Sequence, residues 1–423
     1  MSKNVSKLLY EGSVKNVWLV NDDTLEFEYT DAYSVFDWGK MPDSIPKKGE
    51  ALTTLAEFFF KYLHSAENWK NFRNSIECQN LLSFYKNRFD PPFDFEIEKR
   101  LIEFENIGVR HHFYRRTALN RMLVQRCAVQ RPYEYVLCGH TLYHYNLSRS
   151  QHWNASQAPL VNAPNDAQHS SQSSRLVPLE VVFRLGLPSG SSLVSRLTPE
   201  YAKLLGLATV PQEGSRFDAP ILEFFSKLEP QDRFLSWEQA LNYSQVSFEE
   251  FKTLIASSLL IASLLESYFK SKNLELWDGK FEWALQNPEH VHQISSHPHH
   301  VLAPYEHATK SSEFMLIDSI GLDELRIIEP QSQTHFSKEF IRQFYRKTPW
   351  YKEVNEAKAQ VGMNWKKLVL EKYGQPPRLV EPFLSTAENL YLTLVNTLTG
   401  QELSKNIMSI SQLTEELKKC LKF

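Results

Sequence analysis

Apolar positions along this chain follow two periods, and the changes between them outline its elements. Alternation marks strands, because successive side chains of an extended backbone point to opposite faces. A return every three or four residues marks one face of a helix. Two β-rich runs, Leu8-Leu-Tyr-Glu-Gly-Ser-Val-Lys-Asn-Val-Trp-Leu-Val20 and Thr24-Leu-Glu-Phe-Glu-Tyr29, flank a short polar turn and predict an N-terminal hairpin. Residues 30–50, rich in Pro, Gly, Ser and Asp, read as a loop, and 51–63 carry the spacing of an amphipathic helix. Ser247 and Glu250 form a capping-box pattern that opens a helix ending near residue 270. Helical patterns return over 338–347, 354–373 and 382–398, followed by a charged tail.

The stretch 274–326 is the most informative. Alternation in Leu-Glu-Leu-Trp-Asp-Gly-Lys-Phe-Glu-Trp-Ala-Leu puts Asp278, Lys280 and Glu282 on one face and Trp277, Phe281 and Trp283 on the other. A second apolar run, 313–317, ends in Asp318, with Asp323 and Arg326 just beyond. If the two runs pair as a hairpin, Glu282 approaches Asp318. Close carboxylates repel unless they share a proton, a cation or a hard metal such as Mg²⁺. A half-exposed hairpin with a solvated charged face fits the same pattern, so this stretch alone leaves both readings open.

Composition narrows the class. At 423 residues, 42% hydrophobic and 23% charged, the chain is long enough for two or three domains with ample cores. A net charge of -3 gives no ground for general affinity for nucleic acid or an anionic membrane. The N-terminus lacks the apolar core of a signal peptide, and the most apolar helical run, 254–265, is too short to span a bilayer. Four cysteines without metal-ligand spacing suit a reducing cytoplasm. The Ser-, Gln- and Asn-rich part of 132–176 reads as mobile, and the His-rich run 290–307 as a solvated loop.

Several motifs then fall in a telling order. Leu9-Tyr-Glu-Gly-x-x-Lys15-x-Val17, Thr30-Asp-x-x-Ser34-x-Phe36-Asp37 and Ile45-Pro-x-Lys48-Gly49 precede Met122-Leu-Val-Gln-Arg126. After them come Val177-Pro-Leu-Glu-Val-Val-Phe-Arg184, Gly190-Ser-Ser-Leu-Val-Ser-Arg196, Asp278-Gly-Lys-Phe-Glu282, Asp318 with Asp323 and Arg326, and Ser337-Lys-Glu-Phe-Ile-Arg-Gln-Phe344. Each is weak alone, but in this order, from about residue 8 to about 403, they resemble phosphoribosylaminoimidazole-succinocarboxamide synthase, the SAICAR synthetase family.

The resemblance implies a two-lobed α+β fold. Residues 1–131 would form a β-rich N-terminal nucleotide lobe, 132–176 an insertion, and 177–423 a mixed ATP- and substrate-binding lobe ending in helices. It implies a cytoplasmic, homo-oligomeric ligase of purine biosynthesis that uses ATP and Mg²⁺ to join an aminoimidazole ribotide carboxylate to L-aspartate through an acyl phosphate. Gly12 and Lys15 would cover the nucleotide phosphates, Glu180 would receive the ribose, and Glu282 and Asp318 would hold the metal. Arg184, Ser192 and Arg326 would bind the ribotide phosphate, with Ser34, Asp37 and Lys48 also on the substrate side. Lys280, Asp278 and Asp323 would attend the reacting groups; Lys227 and Asp232 align less well and read as surface charges or structural salt bridges. The chain departs from the pattern at Ser13, where a lysine is usual, at Ser319, where a glutamate follows the aspartate, at Ser195 and at Gly321-Leu322. Those departures keep three alternatives open: a paralogue using another carboxylate or amine, a kinase, and a catalytically weak nucleotide-binding paralogue.

Overall fold

A computed structural model describes residues 6–129, 174–229, 232–286, 313–361 and 365–422. Most of the stretch 132–176 and all of the run 290–307 lie outside the described residues. Ser174–Leu176, which the sequence reading assigned to the end of the insertion, form a strand, because they find a partner in the end of a long strand, Ala284–Gln286.

The N-terminal sheet has the order β1-β2-β3-β5-β4, built from β1 (Lys7–Glu11), β2 (Lys15–Asn21), β3 (Thr24–Tyr29), β4 (Phe113–Ala118) and β5 (Arg121–Gln125). The expected hairpin is therefore three strands. The tight turn at Gly12–Lys15 separates β1 from β2, and the sequence pattern ran the two together. Gly12 N–H donates to the Lys15 carbonyl at 3.0 Å, and a Cβ on Gly12 would sit 2.5 Å from that oxygen. Between β3 and β4 lie a loop and α1 (Lys48–His64), α2 (Ala66–Phe72), α3 (Ile76–Asn87) and α4 (Asp94–Ile107). Asp31, in the loop, caps α1 by accepting from the backbone N–H groups of Gly49 (2.9 Å) and Lys47 (3.3 Å).

Among the described residues the second sheet has eight strands: β6 (Ser174–Leu176), β7 (Leu179–Gly186), β8 (Arg216–Ser226), β9 (Phe234–Leu235), β10 (Glu275–Gln286), β11 (Glu313–Ile317), β12 (Leu325–Glu329) and β13 (Thr334–His335). β10 is its axis. One edge pairs first with β12 and then with β11, the other first with β7 and then with β6. The expected antiparallel pairing of the two runs is present, but β10 is a central strand with neighbours on both sides and not part of a half-exposed hairpin.

Helices complete the chain: α5 (Pro199–Leu204), α6 (Trp237–Ser244), α7 (Phe248–Ser271), α8 (Glu339–Arg346), α9 (Pro349–Val361), α10 (Trp365–Lys372), α11 (Phe383–Thr399) and α12 (Ile410–Lys422). The single helix expected over 354–373 is thus two. α7 starts at the expected capping box, with both Ser247 and Glu250 engaged. It is apolar nearly all round because α3 and α4 cover one side and β8 and β10 the other. Among the described residues, no helix is long and apolar enough to cross a membrane. Two backbone seams join the sheets. Residues 110–112 bond Leu316 of β11 (His112 N to Leu316 O, 3.0 Å), and Ala128 bonds Ser174 and Leu176 of β6, each at 2.8 Å. These seams bring the start of β2 over the end of β11.

Candidate active site

One face of β10 gathers most of the polar chemistry. A Cβ at Gly279 would lie 2.6 Å from both Phe183 and Leu325, so a glycine there lets β7 and β12 close on either side. The other face is anchored: Phe281 stacks on Phe183 at 4.8 Å, and the Trp283 indole donates to Ser258 of α7 at 3.1 Å. Asp278, Lys280 and Glu282 are left on the opposite face.

At the Glu282 end, three lysines meet three carboxylates. Lys15 pairs with Asp318, Lys227 with Glu282 at 2.6 Å, and Lys280 with Glu180 at 2.5 Å. Lys280 also lies 3.7 Å from Glu282, and Lys227 lies 3.8 Å from Glu180. Asp318 has a left-handed backbone (φ 66), uncommon for a residue with a side chain, and its carbonyl accepts from His112 Nε2 at 3.1 Å. Burial pushes His112 down to about 3, so the ring is neutral. Burial raises Glu282, and the Asp318 charge adds to the rise against Lys227 and Lys280. Burial would raise Asp318 as well, but Lys15, Lys227 and Lys280 outweigh it and hold that carboxyl well below its usual range. Lys280 is raised: burial disfavours its charge, and Glu180 and Glu282 more than restore it. This end is thus a set of fixed cations around one firmly ionised and one more basic carboxylate.

Four residues earlier on the same strand, the Asp278 end is rich in arginine. Arg184 pairs with fully buried Glu223, lies 3.6 Å from Asp278 and donates to Ser191 (3.3 Å) and Ser192 (3.2 Å). Arg196 contacts both oxygens of Glu223, at 2.9 and 3.0 Å, and Arg326 lies 3.4 Å from Asp278. Arg326 Nη1 and Asp278 Oδ2 are buried without a hydrogen-bond partner.

A third group lies beyond β11. Buried Lys48 pairs with Asp323 at 2.8 Å, and the Tyr391 hydroxyl donates to the other Asp323 oxygen at 2.8 Å. Lys338, facing Asp323, is pushed by burial down to about 8. Burial, then Asp323 and Asp318, push neighbouring Glu324 up to about 7.

The structure brings together Lys15, Glu180, Lys280, Glu282 and Asp318; Arg184, Ser192, Asp278 and Arg326; and Lys48 with Asp323. Gly12 shapes the turn that presents Lys15. Ser34 is half-buried in the loop before α1. Asp37 is exposed in a tight turn with positive φ at Phe36 and Asp37, and it pairs with Lys358 of α9 at 2.9 Å. Sequence reasoning missed Glu223, Glu324, Lys338 and the ligating role of the Tyr391 hydroxyl. Lys227, read as a surface charge or a structural salt bridge, makes such a bridge inside the first cluster, and Asp232 is pushed up to about 6 by burial and by Glu180 beside it. Glu223 carried a usable signal: a lone acid in the apolar run Ala219-Pro-Ile-Leu-Glu-Phe-Phe225 must be buried with a partner.

Comparison with known proteins identifies the family and the fold. The profile of the SAICAR synthetase family matches residues 8–87 and 95–294. A protein of Archaeoglobus fulgidus, provisionally named phosphoribosylaminoimidazole-succinocarboxamide synthase, is 27% identical over 418 residues, 97% of this chain and 99% of its own. The phosphoribosylaminoimidazole-succinocarboxamide synthase of Thermoplasma acidophilum is 24% identical over 94% of this chain and 99% of its own. The solved SAICAR synthase of Saccharomyces cerevisiae, complexed with SAICAR, shares the fold at TM-score 0.53 and 17% identity, covering 96% of this chain and 98% of its own. The chain belongs to the SAICAR synthetase family and is an ATP-dependent ligase that forms a carbon–nitrogen bond in purine biosynthesis.

Proposed function

We propose that the chain joins the carboxylate of an aminoimidazole ribotide to the amine of L-aspartate through an acyl phosphate, using Mg²⁺-ATP. The single face of β10 carries this reading. Asp278 and Glu282 are four residues apart, about 13 Å along an extended strand. A lysine-rich end able to neutralise nucleotide phosphates is thereby held at a fixed distance from an arginine-rich end suited to a substrate phosphate.

A carboxylate acylates poorly because oxide is its leaving group. In the first step a substrate carboxylate oxygen attacks the γ-phosphorus and ADP departs. In the second the amine nitrogen attacks the acyl carbon, phosphate departs and the amine loses a proton. Such transfer asks for positioning and neutralisation of charge. Lys15 and Lys227 neutralise the transferring group, and Lys280, held cationic, sits between the two ends. Arg184 and Arg326 fix the ribotide phosphate, with Ser192 assisting and Asp278 orienting both guanidinium groups. Lys48, Lys338 and Asp323 offer the two cations and one anion that an amino dicarboxylate needs. Glu180 receives the nucleotide ribose, and Ser34 and Asp37 border the substrate from the loop.

Among the described residues, no three His, Cys, Asp or Glu side chains form a self-sufficient metal site. Mg²⁺ suits this donor set, because it commonly takes one or two carboxylates and completes its shell with phosphate oxygens and water. Glu282 and Asp318 would hold it, and bound there it supplies charge neutralisation for the phosphates. We extend the family's cytoplasmic setting and homo-oligomeric habit to this chain; the free thiols of Cys78, Cys127 and Cys420 suit the former.

The test is turnover of the ribotide carboxylate with L-aspartate against a panel of other amines, after calorimetry with Mg²⁺-ATP. Binding of Mg²⁺-ATP and preference for L-aspartate are expected. Silence in calorimetry at millimolar nucleotide would end the reading. Glu282→Ala and Asp318→Ala should each abolish turnover in a folded protein; full activity in either would remove the metal assignment.

A further inference from the structure

Around the end of β11, four acids each pair with a lysine. Asp318 pairs with Lys15, Asp323 with Lys48, Glu282 with Lys227 and Glu180 with Lys280. Glu324, in the same group, makes no ion pair among the described residues, and its Oε2 is buried without a hydrogen-bond partner. The Tyr29 hydroxyl, on a residue only 3% exposed, is also buried without a hydrogen-bond partner, and Asp318, Ser319, Glu324 and Glu282 are the polar groups in its neighbourhood. Two buried polar oxygens without hydrogen-bond partners among the described residues, in a neighbourhood of acids, describe a place suited to something that is both cationic and hydrogen-bonding. Lys15 and Lys280 are already committed to other carboxylates. A hydrated divalent cation meets both demands, since its charge answers the acid and its coordinated waters donate to oxygen acceptors.

Resting on the Mg²⁺-ATP reading above, we propose that Glu324 steadies the divalent cation from its outer shell, accepting hydrogen bonds from metal-bound water. It supplies the third acid that Ser319, directly after Asp318, cannot. An outer-shell place is consistent with there being, among the described residues, no three acids close enough to ligate one ion directly. Ser319 and Glu324 stand at the two ends of the 319–324 segment, and both are among the polar groups in the neighbourhood of the Tyr29 hydroxyl, so moving an acid from one position to the other is the direct test.

The proposal is tested on the full chain by titrating Mn²⁺, followed by its electron paramagnetic resonance, in the presence of a non-hydrolysable ATP analogue. Glu324→Gln should weaken Mn²⁺ binding about tenfold, the usual cost of losing an outer-shell acid. Its affinity for the analogue in EDTA should stay at the wild-type value. Glu324→Asp, closer in charge and volume, should show a smaller loss and serves if the glutamine variant does not fold. The exchange variant Ser319→Glu/Glu324→Ser should recover Mn²⁺ affinity relative to Glu324→Ser alone. Wild-type Mn²⁺ affinity in Glu324→Gln, or no recovery in the exchange variant, would overturn the proposal. If the wild-type chain itself bound neither Mn²⁺ nor the analogue, the Mg²⁺-ATP reading would fail instead.

Discussion

Replacing Glu223 by glutamine should destabilise the protein and loosen its grip on a phosphate together. Glu223 is fully buried on β8 and serves two guanidinium groups: it pairs with Arg184 and receives Arg196 through Nε (3.1 Å) and Nη2 (2.9 and 3.0 Å). The Tyr201 hydroxyl adds a contact at 3.2 Å. Glutamine keeps the shape but replaces one acceptor oxygen by a donor and removes the charge. Two arginines, one of them nearly inaccessible to water, are then left facing an N–H₂. Breaking a buried ion pair by removing one partner costs about 3–5 kcal/mol, because the surviving charge is stranded. At about 2–4 °C per kcal/mol for domains of 150–250 residues, the melting temperature should fall by on the order of 10 °C.

The same change frees Arg184 to swing away from Ser191 and Ser192, so KM for the phosphate-bearing substrate should rise about tenfold while kcat changes less. That pattern marks binding shared by ground and transition states. Arg196→Met is the internal comparison. It leaves Glu223 paired with Arg184, so it should cost less than half as much in melting temperature. Calorimetric melting and steady-state kinetics check both variants. A Glu223→Gln protein that melts within 2 °C of wild type with unchanged KM would refute the view that this carboxylate holds the arginine pair.

Two further outcomes follow from local geometry and charge. Gly12→Ala puts a Cβ where the Lys15 carbonyl oxygen stands, 2.5 Å away, so the turn must open and carry Lys15 from Asp318. Calorimetry should then find ATP bound about tenfold more weakly, while melting changes little because β1 is an exposed edge strand; unaltered ATP affinity would count against the turn. Burial alone would raise the Asp323 carboxyl, but Lys48 and Lys338 hold it well below the ordinary range. A carboxyl with a depressed folded value stabilises the fold fully above its unfolded pKa of about 3.9 and loses that contribution as pH falls below it. Asp323→Asn should therefore flatten the fall of melting temperature with acid between about pH 4 and pH 2, and an unchanged slope there would contradict the assignment.

How much of this was legible depended on whether the signal was local. The helix at 248–271 announced itself because its cap and its apolar run are properties of one segment, and the order of motifs located the family. Helices α2 to α4 were not anticipated, since their apolar residues serve several neighbours and blur the 3.6-residue period. Lys227 looked like a surface charge because its strand ends just before it, and nothing within its own segment shows that Glu282 waits 2.6 Å away. Lys338 and Tyr391 meet Asp323 only through chain crossings of 15 and 68 residues, for which neighbouring sequence holds no trace. Glu324 was hidden differently: beside Asp323 it resembles half of a solvated acidic pair, and only the lysine count around β11 leaves it over.

The acid–lysine–acid pattern of 278–282 was readable, but its meaning turned on an irregularity that alternation does not show. β10 pairs with β12 through a register shift between Leu276 and Asp278, so Trp277 is the extra residue and lies under the Arg216 guanidinium at 4.8 Å. A strict alternation carried through from Leu274 would treat Trp277, Phe281 and Trp283 as equivalent; all three are buried, but Phe281 and Trp283 sit on regular strand whereas Trp277 occupies the bulge. The shift lets the first part of β10 follow β12 while the second follows β11, and the 318–324 segment fills the space between those two partners. Because strand side chains alternate strictly, a slip of one residue in the β10–β11 ladder would turn Glu282 into the core and Trp283 out of it. Gly279, which a Cβ would force apart from Phe183 and Leu325, and the Trp283–Ser258 hydrogen bond both oppose that slip. The residues that look merely structural on the aromatic face are therefore what decides where the charges stand.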